Sequence, residues 1–436
     1  MIYLHVPFCG SFCTYCDFYS EICRDARTFN EYADAVVAEI LDRRNELSMN
    51  MSAPSAVSTL YVGGGTPSVL PLSVLRRIVE TLRLVAAEPV AETEPVPVAE
   101  LVAGTESIPV AELVEASGLR VGKVASTGSA TERRATEARA AWRNSAARAA
   151  GSFSEFTVEV NPEDIVEKGS EYVSGLIALG VNRISMGIQS FDDGILRWMN
   201  RRHDAAGAEK AFRILRECGI KNISVDLIFG LSQLTDELWE DTIGKALDLS
   251  PQHISAYQLS IEEGSALARM EADGRYVEAS EDQCRRQYDI LCRTLAKAGY
   301  RHYEISNFAK PGFEAVHNSA YWSRTPYVGL GPGAHSLSGG VRSWNAQTLP
   351  HRRPDSVLES YSRDSERLSD EDIRIERIML PLRTDIGLKA DELYSLAAPS
   401  TVDALLDEGA LVRTGERIRI PEDHFFTSDE IIRELV

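Results

Sequence analysis

His5-Val6-Pro7-Phe8-Cys9-Gly10-Ser11-Phe12-Cys13-Thr14-Tyr15-Cys16-Asp17-Phe18 stands a few residues after Met1 and spaces three cysteines as C-x3-C-x2-C. Thiolates in so short a run can point at one centre, wrapped by the loop between them. A four-iron cube has four corners, so three ligands leave one iron open to another molecule, whereas a closed structural zinc site asks for four protein ligands. Zinc completed by His5 is the competing metal reading. A disulfide would leave one thiol over, in a chain with no sign of an oxidising compartment. The aromatic residues Phe8, Phe12, Tyr15, Phe18 and Tyr19 predict a redox centre shielded from water, because an apolar shell tunes potential. An iron–sulfur cluster is the expected occupant of Cys9, Cys13 and Cys16.

The chain around this loop is ordinary in composition. Its 436 residues are 25% charged and 44% hydrophobic, enough for two or three domains with a sizeable core. A net charge of −19 argues against general nucleic-acid binding, which needs a basic face to release counterions. Charge alone would not dock it on an anionic membrane either. The N-terminus lacks the basic and apolar regions of a signal peptide, and no apolar run reaches the length of a membrane span. Seven cysteines without a secretory signal read as reduced thiols of a cytoplasmic protein.

One segment differs from the rest. Residues 86–150 repeat Pro97-Val98-Ala99-Glu100-Leu101-Val102 as Pro109-Val110-Ala111-Glu112-Leu113-Val114, and Trp142 is the segment's one aromatic. Such a composition buries too little apolar surface to order itself, so a disordered, non-catalytic insertion is expected, with a basic helix near 132–149. Outside it, β-rich runs at 2–5, 59–62, 156–160, 183–188, 222–228 and 253–259 alternate with helical patterns such as Tyr32, Val36, Ile40 and Trp239, Ile243, Leu247. That alternation predicts an α/β fold whose parallel sheet curls into a partial, TIM-like (β/α)6 barrel. The barrel would use residues 1–85 and 151–300, followed by an extension at 301–365. A smaller α+β domain of helices and a hairpin, winged-helix-like, is expected at 366–436.

Unusual residues cluster just after the predicted strands, the functional rim of α/β barrels. Gly63-Gly64-Gly65-Thr66-Pro67-Ser68 offers backbone amides at close range, with Thr66 and Ser68 placed to cap the next helix, but it lacks the lysine of a P-loop. Alternation turns Glu159 away from Val158 and Val160, into an interior where a carboxylate needs a partner. Gln189 ends the fourth strand, and Asp226 stands among apolar residues of the fifth. Arg201 offers a cation. Farther on, Tyr303–Phe308, His317–Trp322 and Gly329–Ser336 set aromatic residues and two histidines beside a glycine-rich turn, a combination suited to a flat macrocycle, with His317 or His335 as candidate iron ligand. Cys218, Cys284 and Cys292 read as helix-core residues.

Assembled in this order, the motifs resemble those of radical SAM proteins. More narrowly, the chain resembles the HemW branch of the oxygen-independent coproporphyrinogen III oxidase family, on His5–Phe18, Gly63–Ser68, Thr157–Pro162, Asn182–Phe191, Asp226–Leu231, Tyr303–Phe308, His317–Trp322 and Gly329–Ser336. The resemblance implies a 4Fe–4S cluster on Cys9, Cys13 and Cys16, its open iron binding S-adenosylmethionine (SAM). It further implies SAM contacts from Tyr3, Tyr15, Gly64, Gly65, Thr66, Glu159, Gln189, Arg201, Asp226, Ser260 and His335, and haem as a further ligand, with His317 its candidate contact. No residue is assigned a catalytic role. Two functions follow from the resemblance: a haem chaperone that hands haem to acceptor haemoproteins, or an oxidase that decarboxylates coproporphyrinogen III. Oxidases of this family resemble C-x3-C-x2-C-x-C and carry an extension before the first strand. Here Phe18 takes the last position and the chain starts almost inside the strand, so the chaperone is expected and oxidase activity is not. A zinc-stabilised scaffold without SAM is a third reading, and the chaperone reading leaves room for a homodimer. The stretch Gly230-Leu231-Ser232-Gln233-Leu234-Thr235 departs from relatives, which carry Pro after the Leu.

Overall fold

The computed structural model describes residues 1–52, 58–86, 153–349 and 361–436. The expected insertion, with its repeat, Trp142 and basic helix, lies outside the described residues. In chain order the strands begin with β1 (Ile2–Val6), β2 (Phe8–Cys9), β3 (Glu21–Ile22), β4 (Thr59–Gly64), β5 (Glu155–Val160), β6 (Arg183–Gln189), β7 (Asn222–Phe229) and β8 (His253–Gln258). They continue with β9 (Arg301–Glu304), β10 (Asn307–Ala309), β11 (Val328–Leu330), β12 (His335–Ser338), β13 (Val341–Asn345) and β14 (Arg363–Arg367). Last come β15 (Leu388–Lys389), β16 (Val412–Thr414) and β17 (Arg417–Arg419).

Strands β1, β4, β5, β6, β7 and β8 lie side by side in sequence order, all parallel. They are the six runs expected from the sequence. Helices such as Ala26–Asp42, Leu72–Ala86, Pro162–Ala178, Ala205–Glu217 and Asp236–Asp248 connect them. Several start on side-chain caps: Asp204 accepts from Gly207 N at 2.7 Å and Thr235 from Leu238 N at 3.3 Å.

Two edges were not anticipated. β11 joins β1 in parallel, Ile2 opposite Val328, while β10 and β9 add an antiparallel ribbon beyond β8. Strands of three or four residues carry too little period to read from sequence.

The sheet's two faces differ sharply. Val62, Phe156, Val158, Ile184, Met186, Ile223, Val225 and Ile254 are fully buried under the helices. The other face holds Tyr61, Glu159, Ser185, Ser224, Asp226, His253 and Ser255 in matching register. Tyr257 on β8 still feels the charge of Glu159 on β5, as a curled sheet requires. The helix Val316–Trp322 stops the strand-start end of this polar face: Glu155 accepts from Val316 N and His317 N at 2.9 and 2.8 Å, and Thr59 bonds the His317 ring.

The C-terminal domain pairs helices with the antiparallel sheet β15–β17–β16, as expected for a helix-plus-hairpin unit. Its apolar side chains nevertheless join the barrel's own buried cluster. His302 is stacked on Phe308 at 4.1 Å and meets Phe425 edge-on at 4.9 Å.

Candidate functional site

The cysteine loop is held at both ends and in the middle. β2, carrying Cys9, pairs with β3, so residues 10–20 form a closed loop. Thr14 Oγ1 donates to Trp198 O at 2.8 Å and Asn200 Nδ2 donates to Phe12 O at 2.7 Å. Underneath runs the glycine-rich turn, with Gly65 N on Val6 O at 2.8 Å and Thr66 N on Phe8 O at 2.6 Å. Gly64 has φ of 108°, and a Cβ there would meet the His5 ring at 2.5 Å, so both conformation and space require glycine. Lys168 Nζ donates to the carbonyls of Ser68, Val69 and Leu70 and fixes the far end of the turn. Thr66 and Ser68 do not act as the expected helix caps. Ser68 Oγ donates to Asp164 at 2.6 Å, and the Thr66 hydroxyl turns to sulfur.

A chain of hydrogen bonds ties two of the thiols together. Thr66 Oγ1 donates to Cys9 Sγ at 3.4 Å and accepts from Asn161 Nδ2 at 3.1 Å. Asn161 Oδ1 accepts from Arg201 Nη2 at 2.7 Å, and Arg201 Nη1 donates to Cys13 Sγ at 3.3 Å. Arg201 also donates to Gly187 O, while its Nε is buried without a partner. Asn161, which links Thr66 to Arg201, was not singled out from the sequence, where it stands only as part of the Thr157–Pro162 motif. Burial pushes the Cys9 thiol up, and the Cys16 thiol up to about 11, so iron would have to displace their protons.

Glu159 and Asp226 extend the site across the barrel. Tyr61 Oη donates to Glu159 Oε1 at 2.7 Å and Gly64 N to Oε2 at 3.2 Å. Burial, with Asp226 adding repulsion, pushes Glu159 up to about 7. Asp226 accepts from Ser185 Oγ at 3.0 Å and from Ser224 Oγ at 3.3 Å, and burial raises it too. Gln189 sits at φ of 71°, and its amide reaches the Cβ position of Gly187 beside Asn161 and Arg201. Tyr3 Oη bonds His5 Nδ1 at 3.0 Å, and Tyr15 is partly buried beside Arg201 and Cys13.

Other expected contacts fall elsewhere. Ser260 is exposed and donates to Glu262. His335 is exposed on β12, stacked on Trp344 at 5.9 Å. His317 is 1% exposed, with Nδ1 on Thr59 Oγ1 at 2.8 Å and Nε2 on Tyr321 Oη at 3.1 Å. Both ring nitrogens are hydrogen-bonded, and the ring is buried at the strand-start end of the polar face. The aromatic shield is also half open: Phe8 is buried, but Phe12 and Phe18 are 49% and 70% exposed. Cys284 is buried as expected, whereas Cys218 and Cys292 are partly exposed. The turn at 230–235 is pinned by Gln283 and Gln287, which donate to Leu234 O at 2.9 and 2.7 Å.

The donor set suits a cube better than a single ion. His5 Nε2 is on Tyr19 O at 2.9 Å and Nδ1 on Tyr3, which leaves no nitrogen to complete a zinc site. Among the described residues no three His, Cys, Asp or Glu side chains converge tightly enough to hold one metal ion. The three thiols nonetheless share one loop within electrostatic reach of one another. The unpartnered Arg201 Nε fits an anionic group brought next to Cys13.

A six-stranded parallel barrel with a three-cysteine loop after its first strand defines a radical SAM protein. The profile of the radical SAM superfamily matches residues 3–246, more than half of the chain, and the chain belongs to that superfamily. Membership implies a 4Fe–4S cluster and SAM. Within the superfamily the chain is HemW-like. It is 28% identical to the heme chaperone HemW of Bacillus subtilis (strain 168), over 88% of this chain and 84% of the relative. It is 26% identical to the heme chaperone HemW of Lactococcus lactis, over 100% of this chain and 96% of that one. The mouse radical S-adenosyl methionine domain-containing protein 1, mitochondrial, is 28% identical over 100% of this chain and 87% of its own length. Coproporphyrinogen III oxidase (HemN) from Escherichia coli, a radical SAM enzyme, shares the fold, with a TM-score of 0.67 at 19% identity over 99% of this chain and 89% of that one.

Proposed function

We propose that the protein is a haem chaperone: it binds haem and passes it to acceptor haemoproteins in the cytoplasm, as a monomer or a homodimer. The observation that carries this reading is similarity to HemW chaperones over nearly the whole chain, whereas the likeness to the oxidase is one of fold. Phe18 supports it as well, an exposed phenyl ring where oxidases of the wider family resemble one another in a fourth cysteine.

In this reading Cys9, Cys13 and Cys16 hold the cluster, which when bound and reduced supplies an electron to SAM. Gly64, Gly65 and Thr66 would offer backbone to the amino acid part of SAM. Arg201, whose buried Nε has no partner, would be a donor available to its carboxylate, and Glu159 and Asp226 would be the buried acids available to a cationic ligand. Gln189, Tyr3 and Tyr15 complete the wall. Thr66 and Arg201 donate to the sulfurs of Cys9 and Cys13.

The test is anaerobic reconstitution, followed by haem titration by absorbance and coproporphyrinogen decarboxylation by product mass in one preparation. Haem uptake without decarboxylation is the expected result, and robust decarboxylation would overturn it. Cys13→Ala should abolish iron and sulfide uptake. A wild-type protein that takes up zinc but no cluster would remove the cofactor assignment altogether.

A further inference from the structure

Asn161 occupies the N-cap position of the helix Pro162–Ala178, yet its side chain makes no cap bond. An asparagine there ordinarily accepts from an amide of the first turn. Two features of this helix start make the diversion tolerable. Pro162, at the first helical position, has no N–H to leave unpaired, and the Glu163 carboxylate is bonded to its own backbone N–H. The side-chain amide of Asn161 spans the gap between Thr66 and Arg201 instead.

Chemistry fixes which way that amide faces. A guanidinium has donors only, so the Asn161 atom 2.7 Å from Arg201 Nη2 is the oxygen Oδ1. The nitrogen Nδ2 is then the atom 3.1 Å from Thr66 Oγ1, and it has only hydrogens to give. Thr66 Oγ1 must accept there, which leaves its single proton for another acceptor. The Thr66 backbone is pinned on both sides, its N–H on Phe8 O at 2.6 Å and its carbonyl under Val69 N at 3.0 Å. From that position the hydroxyl reaches Cys9 Sγ at 3.4 Å. A sulfur that holds iron has no proton to return, so the hydrogen bonds from Asn161 through Thr66 to Cys9 run one way. Arg201 is held as firmly, since Nη2 also donates to Gly187 O at 2.7 Å and Nη1 donates to Cys13 Sγ at 3.3 Å.

Resting on the assignment of the cluster to Cys9, Cys13 and Cys16, we infer that Asn161 is a positioning residue for it. The Asn161 amide makes Thr66 a donor to Cys9, and through Thr66 it sets part of the cluster's reduction potential, on which hydrogen bonds to the sulfurs are a known lever. Asn161→Asp keeps the shape and the acceptor for Arg201. An ionised carboxylate only accepts, so the Thr66 proton turns to it and Cys9 is left without that donor.

The test is a double-substitution cycle on the reconstituted full-length chain, with the cluster potential read by spectroscopically monitored redox titration and iron and sulfide content as the check on loading. Wild type, Thr66→Val, Asn161→Asp and the two substitutions together are compared. On the wild-type background Thr66→Val should lower the potential. On the Asn161→Asp background it should change nothing, because the donor has already left Cys9. The new carboxylate lowers the potential by its charge as well, so the readout is the step that Thr66→Val makes, not the absolute value. A step of equal size on both backgrounds would overturn the inference, and so would the absence of a step on wild type. If Asn161→Asp takes up no cluster, Asn161→Ala supplies the second background: nothing then orients the hydroxyl, so the step should shrink, and an undiminished step would overturn the role. If wild type itself loads no cluster, the cluster assignment and this inference fall together.

Discussion

At Thr66 one hydroxyl chooses sulfur over a helix cap, and that choice has a measurable consequence. Hydrogen bonds to cluster sulfurs stabilise the more negative, reduced state and so raise the potential. Thr66→Val keeps the shape and deletes the donor to Cys9, worth about 1 kcal/mol for an ordinary hydrogen bond. The reconstituted variant should hold a full complement of iron yet reduce at a lower potential in a spectroscopically monitored redox titration. An unchanged potential would show that the Thr66–Cys9 bond does not persist with the cluster in place. The cysteines, the glycines and the barrel acids were all legible from spacing and alternation. Asn161, which joins Thr66 to Arg201, was not, because its partners are 95 and 40 residues away in sequence. The place of His317 was not legible either, since Thr59, which bonds its ring, is 258 residues away in sequence.

The helix Ala26–Asp42 does more than cover the sheet. Glu39 on it and Arg43 just beyond it form a buried ion pair at 2.8 Å, which also binds Gly331 N, Asn345 Nδ2, Gly329 O and Ser336 Oγ. One helix end thus fastens the β11–β12 turn to the barrel. Arg43→Ala would strand Glu39 as an uncompensated buried charge and should cost about 3–5 kcal/mol, read as a lower urea midpoint. Pairing it with Glu39→Gln should recover part of that loss, since the stranded charge is then gone. Helix existence was legible here from Tyr32, Val36 and Ile40, all buried. The charged pair was not, because i,i+4 spacing of Glu and Arg is common on exposed helix faces and carries no mark of burial.

For the whole molecule, buried titratable groups make stability depend on pH. Burial raises Glu304 to about 7, against an ordinary 4.5. Between those values the native state holds a proton that the unfolded chain releases, so Glu304 weakens the fold as pH rises from about 4.5 to about 7 and adds no further change above that. His302, lowered to about 4, acts in the opposite direction over an overlapping range, so the difference between two chains isolates the carboxyl. The stability of Glu304→Gln relative to wild type should climb from pH 4.5 to 7 and then level off. Equal urea midpoints for the two across that range would contradict the burial argument. The six-strand core was legible because its strands are long and strongly patterned. Its β11 edge was not, since β11 is three residues long and pairs far along the chain. That edge strand bears on biosynthesis. β1 is flanked by β4 on one side and by β11 on the other, so the strand leading into the cysteine loop has both its neighbours only once Val328 has left the ribosome. A nascent chain stalled before that point would present its thiols after a strand paired on one side alone.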